Sequence, residues 1–115
     1  MRFMNLVKCT ENVGSPPESF MQAMAKAGEQ AMREGKLVDT GGLAPLAMSS
    51  RVRVSAGEVT VMDGPFAEGK EVVGGYGVVE AASREEALEQ AVWLMNFHKE
   101  HWPGWEGEVE VRQIF

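Results

Sequence analysis

Asp63, Tyr76, His98, His101 and Cys9 are the side chains whose types could move a proton, hold a metal or act as a nucleophile. Asp63 follows the alternating run Glu58-Val59-Thr60-Val61-Met62, so Val59, Val61 and Asp63 share one side of a strand. If that side is the covered one, the carboxylate reaches the edge of an apolar cavity, where desolvation favours the protonated form and makes an acid or base. An aspartate at a turn often accepts the N–H two residues on, but that residue is Pro65, which has none. The remaining local donors are the N–H groups of Phe66 and Ala67, and capping this turn is the competing structural use.

His98 and His101 stand three apart in Asn96-Phe97-His98-Lys99-Glu100-His101-Trp102-Pro103-Gly104-Trp105. At helical spacing they share a face, with Glu100 or Glu106 as oxygen donors nearby. A zinc site wants three or four ligands, and the chain has no third histidine and no cysteine cluster, so no metal is expected. Surface or interface histidines are the plainer reading. An acid–base pair in this chain would have to be assembled from Asp63 with His98 or His101.

Tyr76, the only tyrosine, follows Gly74-Gly75 and reads as a core or interface aromatic, with a hydrogen bond to a ligand as the alternative. Trp102-Pro103-Gly104-Trp105 sets two large aromatics around a turn, to wall a pocket or to bury against a partner. Cys9 reads as a small buried hydrophobe, since a reactive thiol would need a basic group held beside it to form a thiolate. No Gly-x-Gly-x-x-Gly opens a helix, so no dinucleotide cofactor is expected.

The elements that must position these groups follow from periodicity. Residues 3–9 are apolar on both faces, as in a central strand. Ser15-Pro16-Pro17-Glu18 predicts a capped helix start with Pro16 at the first helical position, and Phe20, Met24, Ala27 and Ala31 carry that helix to about Arg33, with Gly35 as its stop. A short strand begins at Lys36 and closes at Gly41-Gly42. Arg51–Val54 and Glu58–Met62 alternate around Ala56-Gly57, a hairpin signal. Tyr76–Ala82 reads as a strand covered on both faces. Ser83 and Glu86 form a capping box for a second helix, ended by Pro103-Gly104, and Glu108–Arg112 alternates as a last strand.

This order gives one domain over residues 1–115, an α+β, ferredoxin-like β-α-β-β-α-β fold with an inserted β-hairpin. Both helices on one face of a four-stranded sheet leave the other face, with Met4 or Leu6 and Val78 or Val79, in need of cover. In so small a chain a second copy supplies it, which predicts a homodimer.

The segment Asp63-Gly64-Pro65-Phe66, with Glu68, Lys70-Glu71 and Gly74-Gly75-Tyr76 at these spacings, resembles the DGPF branch of the YCII-related protein family. The resemblance covers nearly the whole chain. It implies a dimeric α/β barrel with a cleft beside the motif, so that Phe66, Tyr76 and Trp102 become candidate substrate contacts. It also implies association of some relatives with extracytoplasmic-function sigma factors. Other branches of the wider family pair a histidine early in the first helix with an aspartate before a proline at the end of the second. Here Phe20–Arg33 contains no histidine and Leu94-Met95-Asn96 lacks the Asp-Pro, so that dyad does not carry over.

Composition bounds the function class. The apolar share of 44% and charged share of 24% are those of an ordinary globular protein. A formal charge of −6, with eleven scattered Lys and Arg, argues against nucleic acid. No apolar run approaches the roughly 20 residues that span a bilayer. The N-terminus reads as a first strand, and a single cysteine suits a reducing cytoplasm. Three readings stay open: a small enzyme (lyase, isomerase or cofactor-free oxygenase) using Asp63, a non-catalytic ligand-binding module, and a sigma-factor-associated interaction protein.

Overall fold

The computed structural model describes residues 1–10, 13–66 and 71–115. Its main sheet contains β1 (Arg2–Cys9), β2 (Leu37–Gly42), β5 (Val72–Glu80) and β6 (Gly107–Gln113), in the antiparallel order β2-β5-β1-β6. Helices α1 (Glu18–Arg33) and α2 (Arg84–His101) make the two crossovers. β3 (Ser50–Ser55) and β4 (Glu58–Asp63) form a separate two-stranded hairpin inserted between β2 and β5. This is the expected ferredoxin-like α+β arrangement, and β1, apolar on both faces in the sequence, is a central strand.

Register defines the two faces of the sheet. Phe3 pairs with Val79, and both are buried with Ala81 and with Ala87 of α2, while Leu37 and Val111 pack at the margin. That is the helix face, and Asn5, two residues on, shares it at 4% exposure. The opposite face carries Met4 and Val78, Leu6 and Tyr76, then Lys8, Glu110 and Arg112, by the same register. Met4, Leu6, Tyr76 and Val78 are only half-buried there, so among the described residues nothing fully covers them. The Lys8 ammonium donates to Glu110 Oε1 at 2.6 Å, and Arg112 Nε lies 3.7 Å from the other oxygen of Glu110.

The helix ends show which local signals operate. Ser83 is the N-cap of α2: its hydroxyl accepts the Glu86 N–H at 3.1 Å, and Glu86 Oε2 accepts the Ala82 N–H at 3.0 Å. The first bond satisfies a donor that the first helical turn leaves open, and the second ties Glu86 back to the residue before the cap. The first helix corrects the sequence reading. It starts at Glu18 with Pro17 as N-cap and no side-chain cap, so Ser15 lies too early. A proline pushes its predecessor out of the α region, and Pro17 therefore bars Pro16 from the first helical position. Beyond the start the stripe holds, with Phe20 buried, Met24, Ala27 and Ala31 half-buried and Met21 and Met32 outside.

Candidate functional site

Asp63 closes β4 opposite Ser50, the first residue of β3. The Ser50 hydroxyl donates to Asp63 Oδ1 at 2.7 Å. The backbone locks this base of the hairpin, because the Gly64 N–H donates to the Ser49 carbonyl at 2.7 Å, in a cis Gly64–Pro65 segment. Gly64 is required here: a Cβ on it would overlap the Leu46 carbonyl oxygen and press on that of Ser49. Phe66 is buried, with the Arg51 guanidinium carbon 3.8 Å from its ring centroid, a cation–π stack. Asp63 is exposed on the single chain, and so are Val59 and Val61 on its side of the strand. The covered setting considered for this carboxylate is therefore not supplied by its own chain. Glu68 and Lys70, and the Ala67 N–H, lie outside the described residues.

Tyr76 stands elsewhere, on the uncovered sheet face. Its hydroxyl donates to Asp39 Oδ2 at 3.2 Å, which pushes the phenol above its ordinary value by stabilising the neutral, donating form. Gly41 makes room for it: a Cβ there would come 2.8 Å from Cε1 of the ring. The Thr40 hydroxyl donates to the Tyr76 carbonyl at 2.9 Å and fixes the strand pair beneath.

His98 and Trp102 come together in an aromatic nest between the helices. The Phe20 ring from α1 lies 4.9 Å from the His98 ring and 5.2 Å from Trp102, centroid to centroid. Trp105, after the turn, also meets the His98 ring, tilted at 42° with centroids 4.5 Å apart. At 6% exposure His98 is buried, which corrects the expectation of a surface or interface histidine. Its Nδ1 lies 2.8 Å from the Leu94 carbonyl; a carbonyl only accepts, so Nδ1 carries the proton and Nε2 is the basic nitrogen. Burial holds this imidazole below its ordinary value, and the Leu94 bond opposes the shift. His101 stacks on Phe97 at 4.3 Å instead of sharing a partner with His98. Among the described residues no group of three or more His, Cys, Asp and Glu converges to hold a metal.

Asp63, Tyr76 and the His98–Trp102 nest are thus three separate places within one chain, and among the described residues no hydrogen bond or ring contact joins them. A fourth place was not foreseen. An open depression of about 520 Å³ lies between α2 and β6, lined by Met95, Lys99, Trp105 and Glu106–Val109. Beside it, a second is lined by Cys9, Thr10, Glu71 and Glu106–Glu108. There the hydrogen bond to Glu108, and then its negative charge, raise Glu71 above its ordinary value. Burial pushes the Cys9 thiol up, against a Trp105 hydrogen bond, so it is a thiol and not a nucleophilic thiolate. Glu71 and Glu108 meet because β5 and β6 flank β1. The alternation of Glu108 and Glu110 was visible in the sequence, but their neighbours across the sheet were not.

Residues 1–102 match the YCII-related domain family. The chain belongs to that family. It is also 36% identical over 97 residues to an uncharacterised protein of Rhizobium meliloti (strain 1021), across 84% of this chain and 74% of that one. Among the described residues no helix is long and apolar enough to cross a membrane.

Proposed function

We propose that this YCII-related chain, of the DGPF branch, works in the cytoplasm as a homodimer that binds a small organic molecule in a cleft beside Asp63. The carboxylate takes or gives a proton there, as in a lyase, an isomerase or a cofactor-free oxygenase. The observation that supports this reading is the Asp63–Ser50 pair, a carboxylate oriented by a 2.7 Å hydrogen bond at the foot of an apolar strand face. A second copy laid against the chain takes water from around that acid and supplies the missing wall, and a desolvated carboxylate is the group that general acid–base chemistry needs.

A thermal-shift screen of organic metabolites tests it. A true ligand at about 100 times its dissociation constant stabilises the protein by about 2.7 kcal/mol. The near-isosteric Asp63→Asn variant should keep the unliganded melting temperature and lose the ligand shift and any turnover. An Asp63→Asn protein that binds and turns over the same compound undiminished refutes the assignment.

A further inference from the structure

The β3–β4 hairpin has an apolar face that its own chain leaves bare. Register pairs Val52 with Val61 and Val54 with Val59, so four valines sit together on one side, continued at the base by Ser50 and Asp63. They are 69, 72, 65 and 72% exposed in the order Val52, Val54, Val59, Val61. The other side carries Arg51, Arg53 and Ser55 against Met62, Thr60 and Glu58, a mostly polar surface suited to water. The turn is well formed, with Ala56 at φ 51° and Gly57 at φ 78°, both positive as a tight hairpin turn requires. A lone two-stranded hairpin is marginal in water and needs something to pack on, yet this one pairs with no strand of the main sheet.

From this we infer that the hairpin is a clasping arm whose valine face packs on a second copy of this chain; the inference rests on the homodimer proposed above. Shape and area favour that occupant. The chain's radius of gyration is 15.7 Å and its longest extent 45 Å, where a compact chain of this size has a radius of about 13 Å. A projecting arm reaches beyond its own fold. Four valines, each about two-thirds exposed, offer roughly 200–300 Å² of apolar surface. That is roughly a quarter to three-eighths of the ~800 Å² that each partner buries in a stable interface. The uncovered sheet face cannot provide the whole, since Lys8, Glu110 and Arg112 interrupt its apolar residues. A twofold axis uses both arms at once, so one patch per chain becomes two equivalent contacts and the assembly closes. The same docking brings the second copy onto the strand side that carries Asp63.

Sedimentation equilibrium on the full chain and on its Val54→Thr/Val59→Thr variant tests the arm, because threonine keeps the branched strand-forming shape and removes apolar surface. The wild type is expected to dimerise and the variant to dissociate at least about 100-fold more readily, with unchanged far-ultraviolet circular dichroism. A wild-type dimer matched by an equally tight variant dimer overturns the arm and leaves the homodimer standing. A wild type that is monomeric at every concentration overturns both. Should the variant not fold, hydrogen exchange on the wild type decides. Amides of residues 50–63 slowed at high concentration relative to dilute protein support the clasp, and equal rates at both concentrations overturn it.

Discussion

Replacing Phe20 by alanine probes the nest that fixes the last turn of α2. Phe20 is 7% exposed, and its ring meets Phe97 at 5.8 Å, His98 at 4.9 Å and Trp102 at 5.2 Å. Removing a buried phenylalanine loses its transfer energy and leaves a cavity, about 3–5 kcal/mol together. A 115-residue domain has about 6–17 kcal/mol in all, so this one change removes a large share. The melting temperature should fall by about 10–20 °C, and the urea midpoint should drop with an unchanged slope. Leucine at the same site retains most of the apolar area and loses the three ring pairs, for about 1–2 kcal/mol. Tryptophan emission should shift in both variants, because Trp102 loses the nearer of its ring neighbours, Phe20, and keeps Trp105. An alanine variant destabilised by less than about 1 kcal/mol, with native emission, would show that Phe20 does not pack between the helices and would refute the described nest.

Two further outcomes follow from local geometry. Gly64→Ala should cost about 1–3 kcal/mol by forcing the Leu46 carbonyl aside, seen as a lower melting temperature and faster exchange at the hairpin base; unchanged stability would contradict the close approach. His98 is held below its ordinary 6.5 by burial, so the unfolded chain binds the proton more readily. Stability should be full above that ordinary value and decline as the pH falls through it towards the lowered folded value. His98→Gln should flatten this part of a stability-against-pH profile, and an identical slope in both proteins would remove His98 as its source.

Much of this fold is written locally. Alternation marked the β3–β4 hairpin and the last strand, and Ser83 with Glu86 marked the start of α2, because each signal concerns neighbours within four residues. The start of α1 misled because two prolines in sequence restrict each other, and Ser15-Pro16 resembles a cap only when Pro17 is ignored. β2 closes at Gly42, as its glycine pair suggested, but the reason for Gly41 was not visible: Tyr76 of the adjoining strand occupies the space its side chain would fill. The burial of His98 was illegible because Phe20 reaches it from the other helix and Trp105 folds back onto it from beyond the turn. Likewise, the alternation of β4 put Val59, Val61 and Asp63 on one side, but only topology revealed that this side is bare on the single chain.

Native mass spectrometry of the unmodified protein at low micromolar concentration bears on the central claim most directly. Two chains that cover each other's apolar surfaces give a dominant species of twice 12.6 kDa. A spectrum holding only the 12.6 kDa chain at that concentration contradicts the account.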